Sequence, residues 1–466
     1  NAGKTFTLIK IDEISSVGSV RLRLRSLMET LKDTGSKKEI TPAQTVKNCV
    51  SFSASDHGKP ILGPDFADCY TPFFSPVFKL LGYDLRILPP SDRESVEYGL
   101  RYANNEICFP ATVIIGDFIK AFKNGLYDPK QAVVGMTQTG GQCRATSYLS
   151  MIRRGLSGAG YPNVPVVAFT AGDGLNNEQG GFRFAFRKIA KPAFVSLQFA
   201  DAIAKMYYKS VVREILPGQA VEIRDRYLEL GSAAVESGDT EFLPEILKRA
   251  VEDFNGICRE ERNLPRVGIV GEIFVKYNRF SQMHVVDWLI SQGIEVSVPS
   301  LTDFALQFFV NVKVNRDAGI QKGSLSIFLE MFFGILVDTL LRRFDKILEA
   351  FRFYEPSPGI YNKASAAADM VNLVDQFGEG WLIPAEIAGF AREGVWDVVC
   401  LQPFGCIANH VVGKGIERRV KRLYPRANLL YLDFDAGASE VNILNRLHFV
   451  ADNARRNCVV TDRIAV

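Results

Sequence analysis

The sequence has no Cys-x-x-Cys pair, so nothing in it indicates a zinc ribbon or a thioredoxin-like site. It has no Gly-x-x-x-x-Gly-Lys-Ser/Thr loop either. The nearest approach, Gly413-Lys414-Gly415, lacks the first glycine at the required spacing, which argues against a P-loop. Only four histidines occur, and His57, His284 and His448 have no sequence neighbours that would complete a metal site. Net charge is only +3 over 466 residues, too little to create a field for nucleic acid or an anionic membrane. The basic pairs Arg418-Arg419 and Lys421-Arg422 read as a solvated helix face. Long apolar runs are missing as well. The most apolar stretch, Ser324 to Leu341, contains Glu330 and Asp338 and reads as a buried helix. The first residues show no signal-peptide pattern. The expectation is therefore a cytoplasmic protein with no membrane and no nucleic-acid partner.

The chain is long enough for two or three domains. Ser19 to Leu31 carries apolar residues among basic ones and reads as a helix. Short β-branched runs follow, "KPILG" at 59–63, "YDLRIL" at 83–88, "QAVVGMT" at 131–137 and "VPVVAFT" at 164–170, separated by helical stretches. That alternation predicts βαβ units and a parallel sheet. Residues 191–261 are mainly helical, broken at Pro217-Gly218 and Gly238. A second alternating region has runs at 266–274, 293–298, 395–403 and 428–434. The predicted fold is α/β: two doubly wound parallel-sheet lobes joined by helical segments, with a site in the cleft between them. The predicted boundaries are an N-terminal helical segment at 1–40, a first α/β lobe at 41–192 and a helical connection at 193–263. A second α/β lobe covers 264–466, with a helical excursion at about 301–375.

Eight cysteines are too few and too scattered for a disulfide framework in a chain of this size. Three share one setting. Cys108 lies in "NNEICFPA" before a helical run. Cys143 follows the run "QAVVGMT" and Gly140-Gly141, and Cys406 follows the run at 395–403 and Gly405. In an α/β fold the carboxyl end of a strand is where ligands are bound. Glycine lets peptide N–H groups approach sulfur, and a following helix places its positive end near a thiolate. An iron–sulfur cluster would suit that setting, but a cysteine taken singly is more often a small buried hydrophobe. Cys400, inside an apolar run, reads as the latter.

Six blocks add to this: "YANNEICFPATVIIGD", "TQTGGQCRATSYLSMIRRGL", "GEIFVKYNRFS", "GWLIPAEI", "QPFGCIANHVVGKGIE" and "DAGASEVNILNRL". Together, over most of the chain and in this order, they resemble the acyl-CoA dehydratase activase-related proteins. These are relatives of the cluster-binding subunits of 2-hydroxyacyl-CoA dehydratase and benzoyl-CoA reductase. The resemblance implies that Cys108, Cys143 and Cys406 bind a 4Fe–4S cluster, leaving one iron without a protein sulfur. It also implies an ATP-dependent activator as electron donor and an acyl-CoA as substrate. In that family one electron reaches a thioester carbonyl by way of the cluster, and the resulting ketyl radical expels a hydroxyl group. Relatives work as dimers or heterodimers in anaerobic metabolism.

There are departures from the family pattern. No ATP-binding module is evident. "DAGAS" at 435–439 superficially resembles an actin-type phosphate loop but reads as a structural turn, with Asp433 and Asp435 as candidate polar groups. The activator is then expected on a separate chain or in a part of the protein outside this sequence. Cys69 is the only further candidate thiol for a second cubane, and a buried loop thiol is the simpler reading. No residue announces a catalytic role. Glu106 and His410 are the candidates, each with a structural alternative as helix cap or satisfied histidine. Glu272 and Glu386 are candidate cleft residues, and Arg144 and Lys414 candidate anion holders. Two other functional readings stay open: a non-catalytic electron-transfer or cluster-carrier subunit, and a degenerate member without a cluster.

Overall fold

The computed structural model describes residues 17–34, 50–104, 107–138, 143–169, 181–183, 185–259, 263–320 and 327–464. Glu106 and the side chains of 321–336 lie outside the described residues.

Two four-stranded sheets form the frame, and every strand pair in them is parallel. The first comprises β1 (Ile61–Gly63), β2 (Leu85–Ile87), β3 (Val133–Thr137) and β4 (Val166–Phe169), in the order β2-β1-β3-β4. The second comprises β5 (Arg266–Gly271), β6 (Glu295–Ser297), β7 (Asp397–Pro403) and β8 (Asn428–Phe434), in the matching order β6-β5-β7-β8. Helices cover both faces of a parallel sheet, which is why its strands read as unbroken apolar runs. All seven residues of β7 are buried. Its buried first residue, Asp397, accepts hydrogen bonds from the amides of Asn428, Asn453 and Asn457.

In both sheets the strand order reverses between the first and third strands, β1/β3 and β5/β7, and crevices open at such points. One continuous core joins the lobes: Leu62, Phe118 and Val134 pack in the same cluster as Ile269, Leu432 and Phe434. A separate core belongs to helices Phe186–Ser210, Gln219–Glu236 and Leu243–Ile257. Phe344 and Leu348 from helix Ile327–Leu348, and Phe351 just after it, enter that same core. No helix among the described residues is long and apolar enough to cross a membrane.

One strand differs from expectation. The run at 266–274 should have continued to Phe274, but β5 stops at Gly271. Gly271 has φ +130°, and a Cβ there would overlap the Leu401 carbonyl of the neighbouring strand. The chain turns away, and Glu272 caps a short helix, Ile273–Tyr277, by accepting from Val275 N at 2.8 Å.

Helix Phe109–Lys123 carries Asp117, 1 % exposed, which accepts from Ser91 Oγ at 2.7 Å. Burial raises its carboxyl from an ordinary 3.8 to about 6. The folded protein therefore keeps this proton after the unfolded chain has lost it. Stability should fall as pH rises from about 4 to about 6 and change little above that, by at most ~3 kcal/mol. Asp117→Asn should flatten that part of the curve of urea midpoint against pH. A variant that kept the wild-type slope would contradict this.

Candidate functional site

A helix in a βαβ unit runs antiparallel to its strands, so its N-terminus lies at their carboxyl edge. Cys108 is the N-cap of Phe109–Lys123 (φ −62°, ψ 145°). Cys143 caps the 3-10 turn Arg144–Ser147 soon after β3 (φ −73°, ψ 144°), and its Sγ accepts from Ala145 N at 3.5 Å. Cys406 lies just beyond β7, where Gly405 takes φ +77°. Its Sγ accepts from Asn409 Nδ2 at 3.2 Å. Cys143 and Cys406 thus occupy the β3 and β7 loops, one at each topological switch point.

The loops meet across the lobes. Phe109 N donates to Phe404 O at 3.4 Å, tying the helix that Cys108 caps to the Cys406 loop. A Cβ on Gly405 would come within 3.6 Å of Cys108 Cα. Gly378, with φ +64°, stands between the other two loops: a Cβ there would lie 3.8 Å from Cys143 Sγ and 3.5 Å from Ala408 Cβ. Cys108 Sγ and Tyr148 OH are 3.1 Å apart. Burial pushes the Cys108 thiol up to about 12 and holds that of Cys406 well above its ordinary value. Free thiolates are disfavoured here, and ligation of a cation would have to displace thiol protons.

Two carboxyls complete the surroundings. Glu379, buried, accepts from Ile273 N at 2.7 Å, so it and Glu272 sit together at the start of helix Ile273–Tyr277. Both are raised, Glu272 to about 8, by desolvation and, for Glu272, by the charge of Glu379. Each therefore takes a proton more readily than an ordinary glutamate, which limits the negative charge the pair adds beside Cys406.

The sequence candidates separate in space. His410 is half-exposed in the turn after Cys406, its Nε2 3.9 Å from an Asp433 oxygen. Asp433 also accepts from Gln402 Nε2, and Asp435 accepts from Gly437 N, which closes the "DAGAS" turn. Glu386 is paired with Lys276 at 3.1 Å, both buried. Arg144 and Lys414 are exposed. Cys69 is buried, with Arg224, Asp68, Asp225 and Asp201 as the charges that reach it. Cys400 is a core thiol, its Sγ 3.6 Å from Asn409 Oδ1. His57 packs on Phe52, His284 on Asp287 and His448 on Trp288, in three separate places.

Tyr148, Asn409 and Glu379 were not singled out from sequence. The first two lie inside quoted blocks, and their contacts with the cysteines depend on folding. The one local signal for Glu379 was its position between two glycines.

Among the described residues, no three His, Cys, Asp or Glu side chains stand close enough to hold a single metal ion. A cubane binds each ligand to a different iron, so its ligands stand further apart than those of one ion. Three thiols on three converging loops, with an N–H donor aimed at two of the sulfurs, are a donor set of the kind such a cluster takes. No family model matches the chain, and no curated protein matches it.

Proposed function

We propose that this chain is an iron–sulfur protein that holds a 4Fe–4S cluster in the cleft between its lobes through Cys108, Cys143 and Cys406. It receives low-potential electrons from an ATP-driven activator and serves reductive dehydration, or a related reduction, of an acyl-CoA. The observation that carries the reading is the approach of three cysteine loops, from both lobes, at the carboxyl edges of the two sheets. The six ordered sequence blocks, which contain all three cysteines, support the same assignment.

When bound, such a cluster supplies one-electron chemistry at low potential. The rest falls to the chain. Ala145 N and Asn409 Nδ2 donate to sulfur and favour its anionic form. Tyr148 OH stands beside Cys108 and can donate to it. Gly378 and Gly405 take φ +64° and +77°, a backbone conformation that L side chains rarely adopt, and so let the chain turn beside the sulfur-bearing loops. Glu272 and Glu379 hold a proton close to the site.

Protein prepared and reconstituted without oxygen should be brown and contain about four irons per chain, the content of one cubane. Cys143→Ala should bleach it, and Cys400→Ala should keep the iron. Full iron retention in the variant lacking Cys108, Cys143 and Cys406 would overturn the ligand assignment. With an activator supplied, turnover of an acyl-CoA supports the enzymatic half of the proposal. A brown protein that turns over none of them is a carrier instead.

A further inference from the structure

Hydrogen-bonding groups stand at all three candidate ligand sulfurs, and they are of two kinds. Cys143 Sγ accepts from a backbone group, Ala145 N, at 3.5 Å. Cys108 and Cys406 are met by side chains, Tyr148 OH at 3.1 Å and Asn409 Nδ2 at 3.2 Å. Side-chain donors can be tuned by substitution, and each of these two is buried.

Among the described residues the Tyr148 hydroxyl has no partner other than Cys108. A free thiol can give or accept the proton in that contact. A thiolate bound to iron has lone pairs and no proton, so ligation leaves Tyr148 as the donor. Tyr148 opens helix Tyr148–Gly158, directly after the turn that Cys143 caps. Its hydroxyl therefore ties the loop of one sulfur to the other sulfur of the same lobe.

Asn409 is 0 % exposed, and its amide is held at both ends. Nδ2 donates to Cys406 Sγ, and Oδ1 accepts from the Cys400 thiol at 3.6 Å. Cys400 belongs to β7 and lies against the turn Ala408–Gly413: a Cβ on Gly413 would come within 3.8 Å of its Sγ. The surroundings of Cys400 are otherwise apolar, with Val270, Ile383, Val398 and Ala408 in the same core cluster. An amide turned the other way would set Oδ1 against the Cys406 sulfur, one acceptor facing another. The Cys400 proton selects the orientation that presents Nδ2. Burial holds this thiol well above its ordinary value, so the proton stays in place.

We propose that Tyr148 and Asn409 set the reduction potential of the cluster, and that Cys400, a core thiol and not a ligand, is a positioning residue that aims the Asn409 amide at Cys406. The inference rests on the cluster reading and deepens it. A donor to a ligand sulfur stabilises the reduced, more negative state more than the oxidised one, and so raises the potential. Removing a donor lowers it.

The test is a redox titration followed by electron paramagnetic resonance, on full chain reconstituted without oxygen, with iron counted in the same samples. Tyr148→Phe and Asn409→Leu should each keep the wild-type iron content and lower the midpoint potential. At the wild-type midpoint the ratio of reduced to oxidised protein should fall about threefold or more, which is ~30 mV for one electron. Cys400→Ala should shift the potential the same way, by no more than Asn409→Leu does, and should add nothing to Asn409→Leu in the double variant. Cys400→Ser keeps a donor to Oδ1 and should stay at the wild-type value, whereas an effect of packing alone would move both Cys400 variants. Tyr148→Phe removes one oxygen and decides by itself if the Asn409 variant fails to fold. An unchanged potential in either variant with a full cluster would overturn this inference and leave the cluster reading standing. A Cys400→Ala shift that adds in full to that of Asn409→Leu would overturn the role of Cys400. A wild-type chain that takes up no iron would overturn both the inference and the cluster reading.

Discussion

Gly116→Ala should destabilise the protein by about 3 kcal/mol or more, the upper end of the cost of overpacking. Alanine is the better helix former, so propensity alone predicts a gain of about 1 kcal/mol. Packing decides otherwise. Helices Arg93–Tyr102 and Phe109–Lys123 cross at two glycines, Gly99 and Gly116. A Cβ on Gly116 would overlap the Ser95 carbonyl, and one on Gly99 the Thr112 carbonyl. These obstacles are backbone atoms and cannot rotate away. The methyl group would force the helices apart and shift the helix that Cys108 caps. Urea denaturation of the variant measures the loss, and a midpoint equal to wild type would refute the crossing. Under the cluster proposal, Gly116→Ala should also lower iron retention in whatever protein still folds.

Lys276→Met should cost about 3–5 kcal/mol at neutral pH, the usual consequence of leaving one half of a buried ion pair. Lys276 and Glu386 have side chains only 3 % and 2 % exposed and lie 3.1 Å apart. Burial already raises Glu386 to about 7, against the opposing pull of Lys276 and Lys363. Without Lys276 its carboxyl rises further, and the folded variant must keep the proton that the unfolded chain releases near 4.3. The deficit should therefore grow as pH rises through the neutral range and shrink towards pH 5. Lys276 also opposes the raised values of Glu272 and Glu379, so the variant should hold its proton beside the cysteines more tightly. Replacing both partners, Lys276→Met with Glu386→Leu, should recover much of the loss. A single variant as stable as wild type at pH 8 would contradict the pairing.

Much of the frame was legible because parallel strands are buried on both faces. The runs at 131–137, 164–170, 395–403 and 428–434 needed no alternation to be recognised, and each contains a strand. The breaks at Gly218 and Gly238 were legible too, and both residues take positive φ. The end of β5 was not, because the reason for it is the Leu401 carbonyl, 130 residues further along. The helical excursion could be recognised as helix. Its docking through Phe344, Leu348 and Phe351 onto the core of residues 186–257 could not, since that depends on which apolar surfaces meet.

At the site, the strand–glycine–cysteine order marked Cys143 and Cys406, and the helix after it marked Cys108. Their partners Tyr148, Asn409 and Glu379 are ordinary polar residues until folding brings them to the sulfur or to helix Ile273–Tyr277.

Iron and acid-labile sulfide analysis, combined with electron paramagnetic resonance of the reduced protein, tests the central claim most directly, provided the sample never meets oxygen. The account predicts about four irons and four sulfides per chain and a paramagnetic signal that disappears when Cys108, Cys143 and Cys406 are replaced. Protein prepared and reconstituted under those conditions with no iron, no sulfide and no signal would contradict it.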